Sequence, residues 1–556
     1  MKYMCGMEKI LLINCRQPIV NAFKSMGCEV QAINTSIVEF DLYSELNDCG
    51  YEPDLILQQE SLGCRVFLLN LHKVDCMKIF WSVDTHLNMH WHALYGSLFD
   101  VILTTQKKYV PLLKMASSSD VHWLPWMGGR AGIDFESARG IIPYTKRKND
   151  LSFVGRLSAE RPSRTWFVDF IAENFSLNFA DNLNYTGMMS QYRQTRIVPN
   201  ESIFGEINFR LFEACSCGCA VVTPDTGSDV HELFEVGRDI EIYKDVLELD
   251  HILKRLIGDS DYAAKLAMRG YERVLKDHLP INRVKSILEI AESSSQKSIS
   301  DFECSSLLVR TYASLAEAGQ PVKDPASLIA ALSDHCNERE SYASLLRILA
   351  FYGDVEAFMK LIKPYLSKQS TETDCYFSMS LSLAAAKLGL WDIARLFWYQ
   401  HSSSRGQTDI VPPEEPVDLL VYWGDELRKC GLSYRAGVKF SEKDDIPSCA
   451  ADCYFAALYL QPKRLNLYKK LNSIFAGVIG TEPTCLGFLS NLSLHNQDDW
   501  HISAELGIVN LKAFRLKEGV QELRNAHLLA ESCGQLKFFK KFIAKENPLY
   551  YTFAYH

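Results

Sequence analysis

Residues 200–235 read NESIFGEINFRLFEACSCGCAVVTPDTGSDVHELFE. Their pattern predicts a loop, a helix from Asn208 to Cys217 carrying Arg210 and Glu213, and a turn of small residues. A buried strand at Ala220 to Thr223 follows, then a loop with Pro224, Thr226 and Gly227 that opens another helix at Ser228 or Asp229. An unbroken apolar strand between two helices is the signature of a parallel sheet covered on both faces. Backbone N–H groups at such a loop and helix start form an anion site, and Gly227 lets the chain approach a phosphate closely. A diphosphate is the expected ligand.

The same alternation extends upstream and downstream. LSFVGRL from residue 151 predicts a strand, with a helix from about Ser163, strands near Leu177 and at Arg196 to Val198, and closing helices at Ala263 to Leu275 and Ile281 to Ala291. Further upstream EKILLIN (8–14) has the character of a buried parallel strand. The helical segment Pro18 to Met26 then leads into CEVQAI (28–33), a βαβ opening. Strands are expected at Asp54 to Leu57, Val66 to Leu69, Lys78 to Val83 and Asp100 to Thr104, so residues 1–145 form one doubly wound α/β domain. Residues 150–292 form a second. The polar stretch Pro143 to Asp150, with Lys146, Arg147 and Lys148 in a row, is expected to be a solvated hinge.

After the serine-rich 293–300 segment, strand signals vanish and Ala and Leu recur at helical spacing through 303–556. Three windows resemble tetratricopeptide-type helix pairs: Lys387-Leu388-Gly389 with Trp391, Ala394 and Trp398; Ala450, Tyr454, Ala457 and Pro462; and Leu506-Gly507 with Ala526. In such pairs small residues let antiparallel helices approach.

The bulk numbers fit this plan. The 556 residues are too many for one core. Hydrophobic residues at 47% and charged residues at 23% are those of an ordinary folded chain. A net charge of −9 argues against nucleic acid as the main partner. The 17 cysteines lack metal-ligand spacing, so they are expected to be small buried hydrophobes. No apolar run reaches the roughly 18 residues that span a bilayer, and Ile10 to Ile13 is too short for a signal-peptide core, so a cytoplasmic location is expected.

The pattern Asn208-x-Arg210-x-Phe212-Glu213-Ala214-x-x-x-Gly218, with its strand and TPDTG loop, resembles the C-terminal domain of CgeB-like glycosyltransferases. More distantly it resembles the retaining GT-B family that includes sucrose and trehalose-phosphate synthases. FVGRL (153–157) with Arg164, YRQTRIVPN (192–200), ELFEVGRDIEIY (232–243) and the His278 to Arg283 ending fall in the family's order. The resemblance spans roughly residues 1–292, specific in the second domain and loose in the first. It implies two Rossmann-like domains facing a cleft, followed here by an all-α helical-repeat domain. The implied donor is a UDP- or GDP-sugar carrying a hexose or N-acetylhexosamine. Glu213 would hold the ribose hydroxyls, since a carboxylate accepts two hydrogen bonds from a vicinal diol. Arg156, with Arg161 or Arg164, would grip the diphosphate and stabilise the leaving group in place of a metal ion. Asn208, Arg210, Thr226, Gly227, Ser228 and Glu232 complete the expected donor contacts, and no cofactor or metal is expected.

Two departures stand out. The family's first glutamate, eight positions before Glu213, falls on Gly205, with Glu206 one residue off. The glycine-rich loop after the first strand is replaced by Asn14-Cys15-Arg16-Gln17-Pro18. In FWSVDTHLNMHWH (80–92) the strand ends at Asp84, and strand ends of open α/β sheets face the ligand crevice. Asp84 is expected to touch the sugar or assist the acceptor hydroxyl as base. His86 is expected on the acceptor side of the cleft, and His90 and His92 lack the pattern of a zinc site. The expected acceptor is a protein such as a flagellin, held by residues 303–556, or equally a glycolipid or polysaccharide. A catalytically degenerate nucleotide-sugar scaffold is the alternative from a different class, and a nucleotide-sugar 2-epimerase a third reading.

Overall fold

Short runs such as Lys9–Ile13, buried from Ile10 onward, can satisfy their backbone only between two other strands, and they do so in parallel. The structure is a computed structural model and describes residues 7–61, 63–129, 141–366, 374–405 and 410–550. The first domain contains β1 (Lys9–Ile13), β2 (Glu29–Ile33), β3 (Glu39–Asp41), β4 (Leu55–Gln59), β5 (Phe67–Leu69), β6 (Met77–Ser82), β7 (Val101–Thr104) and β8 (Asp120–Trp123). Its main sheet has the order β2-β1-β4-β6-β7-β8, with Leu12 opposite Leu57 and Leu57 opposite Ile79. The Val66 to Leu69 strand lies outside it, because β5 pairs only with the short β3.

The second domain contains β9 (Asn149–Val154), β10 (Leu177–Ala180), β11 (Thr195–Pro199), β12 (Ala220–Pro224) and β13 (Glu241–Tyr243), in the order β10-β9-β11-β12-β13. Between β11 and β12 the expected helix runs from Phe209 to Ser216 with Asn208 as its N-terminal flank. Gly218, at φ 69°, takes the left-handed turn that ends it and lets Cys219 N–H reach Ala214 O. Two parallel sheets facing a cleft, with an all-α region after them, make this a GT-B architecture with a helical appendage.

One expectation about a joint is corrected. The 143–150 segment is no solvated hinge. Arg147 is only 3% exposed, and its guanidinium donates to Ile142 O, Thr195 O (2.7 Å) and Cys217 O (2.9 Å). A buried cation tolerates burial when carbonyls take up its donors, and here they anchor the segment to the second domain. The serine-rich 293–300 segment is likewise held. Lys297 N–H donates to Asp100 Oδ1 and its ammonium to Ser97 O (2.6 Å) and Ser119 Oγ (2.8 Å). Just before it, the helix Pro280–Ser293 packs Val284, Ile287, Leu288 and Ala291 into one core with Ile19, Val20 and Phe23 of the first domain. The chain therefore crosses back to its first domain at that helix.

The helical region is bonded to both sheets. β1 sends Ile10 and Leu12 to one face and Leu11 and Ile13 to the other, and the second face shares its core with the helices. Helix Asp301–Glu317 lies on helix Thr85–Gly96, and the Phe67 ring meets Trp91, Tyr95 and Tyr312 edge-on at 5.7, 5.2 and 5.2 Å. At the far end Phe514 packs edge-on against Phe167 of the second domain, while Asn547 and Tyr550 donate to Asp245 Oδ2 at 2.7 and 3.0 Å. Several successive helices pack as pairs, among them Cys375–Lys387 with Trp391–Ser404 and Pro416–Lys429 with Ala450–Leu460. In the pair Trp500–Lys512 and Leu516–Ser532, a Cβ on Gly519 would come within 2.6 Å of Leu511 and 3.0 Å of Gly507 O. Gly507 and Gly519 set that close approach.

Candidate functional site

The carboxyl ends of β6 and β7 in the first domain and β9 and β11 in the second open onto one cavity of about 270 Å³. Its lining includes Asp84, His86, Gln106 and Trp126 from the first domain and Arg161, Arg164, Glu206, Asn208, Arg210 and Glu213 from the second. The walls are joined directly. Ile207 N–H donates to Gln106 Oε1 at 3.0 Å, and Gln106 Nε2 donates back to Ile207 O at 3.4 Å. Arg16, from the loop that stands where a glycine-rich loop was absent, lies 4.9 Å from the Trp126 ring and 4.8 Å from the Phe209 ring. Its guanidinium thus bridges the first domain to the start of the Phe209–Ser216 helix.

Asp84 precedes the helix Thr85–Gly96 and is placed by a residue the sequence did not mark. Buried Glu60 accepts the Val83 and Asp84 N–H groups on Oε2, both at 2.7 Å, and Asn88 Nδ2 on Oε1 at 2.7 Å. His92 Nε2 stands 3.1 Å from Glu60 Oε1. Burial alone would raise the Glu60 pKa, but His92 and the two amides hold it below the usual carboxylate value. For Asp84 the balance is reversed. Burial, with Glu60 and Glu206 nearby, pushes its pKa up to about 7 against the opposing pull of His86 and Arg16.

His86 reaches across the cleft, its Nε2 2.6 Å from Glu206 Oε2. Burial pulls the imidazole's pKa down, yet the hydrogen bond and charge of Glu206 outweigh it and leave the pKa above the ordinary value. Glu206 is lowered in turn, against its own burial, by the His86 hydrogen bond and charge. The glutamate displaced by one position in the sequence is therefore at the cleft. Asp84, His86 and Glu206 offer ligand atoms within 4.8 Å of one another, so a cation has donors here, but it would have to break the His86–Glu206 bond.

The second-domain cations divide into two kinds. Arg164 is buried and donates from Nε to Glu201 Oε2 at 2.7 Å. Arg210 lies 4.3 Å over the Phe153 ring and donates to Asn200 Oδ1 (2.7 Å) and Val154 O. Arg156 and Arg161 are exposed and make no ion pair among the described residues, and of the two Arg161 lines the cavity. The Phe209–Ser216 helix presents its N-terminal end here without a side-chain cap, because Asn208 turns its amide to Glu201 O. Uncapped first-turn N–H groups suit an anion. Glu213, buried one turn on, also lines the cavity.

The 226–232 loop does not line this cavity. Gly227 N–H donates to Asp225 Oδ1, Asp229 accepts Lys107 N–H, and Glu232 pairs with Lys107. Asp225 thus takes the Gly227 amide expected for an anion, and across the domain boundary Asp229 and Glu232 contact Lys107.

A family model described as glycosyl transferase-like matches residues 146–289, so this part of the chain is a glycosyltransferase-like domain. No curated protein matches the chain. Similar solved structures include sucrose-phosphate synthase from Thermosynechococcus elongatus, 11% identical over 51% of this chain and 98% of that one, TM-score 0.37. Another is Anabaena HepE in complex with UDP and glucose, 12% identical over 51% and 100%, TM-score 0.35. A third is an alpha-glucosyltransferase in complex with UDP and a 13-mer DNA containing an HMU base, 11% identical over 51% and 99%, TM-score 0.39. Among the described residues no helix is long and apolar enough to cross a membrane.

Proposed function

We propose that the chain is a metal-independent glycosyltransferase moving a hexosyl or N-acetylhexosaminyl group from a UDP- or GDP-sugar. The observation that carries this reading is the single cavity where Asp84 and His86 of one domain face Arg161, Arg164 and Glu213 of the other. The diphosphate is assigned to the uncapped start of the Phe209–Ser216 helix, with Arg161 at its flank. Charge growing on the leaving nucleotide is stabilised there by amides and guanidinium groups already in place. Glu213 takes the ribose diol, Asp84 the sugar or the acceptor hydroxyl, and the His86–Glu206 pair positions the opposite wall.

The test is release of UDP or GDP from a panel of nucleotide sugars by the purified full chain. Turnover should be lost in Glu213→Ala with the fold intact, and should need no added divalent cation. Wild-type turnover in Glu213→Ala overturns the site assignment. A second reading, a catalytically silent nucleotide-sugar scaffold, is favoured by Arg164 and Arg210 being held by protein acceptors. Slow donor hydrolysis that disappears in Glu213→Ala excludes it. The acceptor, in this reading, is a protein such as a flagellin, a glycolipid or a polysaccharide, presented beside the helical region.

A further inference from the structure

Away from the cleft, the ends of three helices in the helical region bring three metal-ligating side chains together. Cys375 is the first residue of helix Cys375–Lys387, His401 lies in the last turn of Trp391–Ser404, and Glu426 in the last turn of Pro416–Lys429. One ligand atom from each lies within 4.8 Å of the other two. His401 is 0% exposed, and neither of its ring nitrogens has a hydrogen-bond partner. Its Nε2 stands 3.8 Å from Glu426 Oε2, beyond hydrogen-bond range. Ligand atoms bound at about 2.0–2.2 Å to one tetrahedral ion lie roughly 3.3–3.6 Å apart, so this spacing is nearer to that of co-ligands than of a donor and acceptor.

We infer that Cys375, His401 and Glu426 bind one zinc ion, with water at the fourth position. A thiolate, an imidazole and a carboxylate are a donor set that zinc accepts and that harder cations such as magnesium do not. Two anionic ligands neutralise the dication, and the Cys375 thiol releases its proton to solvent as the metal–sulfur bond forms. Glu426 also pairs with Arg405 and Lys429, whose side chains are 44% and 68% exposed, so both cations can turn to solvent when the ion arrives. Cys375 is half-buried. The ion ties together three helix ends and carries no part of the transfer reaction.

The test uses tag-free full-length chain, stripped with chelator and titrated with Co²⁺. One equivalent should produce the near-ultraviolet thiolate-to-cobalt absorption and the visible bands of a tetrahedral site, and zinc should bleach both. Cys375→Ser should remove the near-ultraviolet band, Glu426→Gln should weaken zinc binding at least tenfold, and zinc should raise the thermal midpoint of wild type but not of Cys375→Ser. The cleft cluster Asp84, His86 and Glu206 has no sulfur and cannot imitate the thiolate band. Absence of that band in wild type with excess cobalt, or its persistence in Cys375→Ser, overturns the assignment.

Discussion

Asp84→Asn removes a carboxyl that burial holds near neutrality, and its effect on stability has a sign fixed by pH. Moving the group from 3.8 to about 7 corresponds to about 4 kcal/mol against the charged form in the folded chain. Asp84 keeps some contact with solvent, so screening brings the expected effect down to about 1–3 kcal/mol. Between pH 3.8 and about 7 the folded chain retains a proton that the unfolded chain has lost, so Asp84 makes stability fall as pH rises through that window. Asparagine abolishes the titration and loses no helix cap, since the Asp84 side chain makes no cap hydrogen bond. The variant should match wild type below about pH 4 and exceed it by roughly 1–3 °C in thermal midpoint at pH 8. Glu482, also pushed up to about 7, contributes the same trend to both proteins and cancels in the comparison. Midpoints measured from pH 4 to 8.5 at constant ionic strength decide the matter. A gap that does not change with pH, or a variant less stable at pH 8, refutes the burial argument.

Gly519→Ala should lower stability by about 1–3 kcal/mol, because its Cβ meets Leu511 at 2.6 Å and prises apart a helix pair that braces the second domain. Chemical denaturation followed by far-ultraviolet circular dichroism measures this. Truncation after residue 300 should yield aggregated chain in size-exclusion chromatography, since it strips Tyr312 from Phe67 and Phe514 from Phe167. Soluble, donor-hydrolysing truncated protein would show that the α/β half folds without its helices.

Both sheets were legible because ILLI and AVV are apolar without interruption, as a strand covered on two faces needs. The helix before β12 was legible from Asn208 at its start and Gly218 beyond its end. What escaped depends on partners far along the chain. Val66 to Leu69 has the composition of a main-sheet strand, yet its neighbour is the three-residue β3. Arg147 sits among Lys146 and Lys148, and nothing local reveals which of three adjacent cations meets three carbonyls. Glu60 follows two glutamines with no periodic signal, though it holds the turn that carries Asp84. In TPDTG the small residues were visible, but not that Asp225 would take the Gly227 amide for itself.

The brace of helices resting on both α/β halves limits how the cleft can work. Jaws hinged only at a linker can gape widely to exchange substrate, whereas these are fastened to a common backplate at Tyr312 on one side and at Asn547 and Tyr550 on the other. Exchange at the cleft must then proceed by small sideways displacement of the lining loops, or by flexure of the helical region as a whole, which makes the cleft sensitive to packing far from its lining.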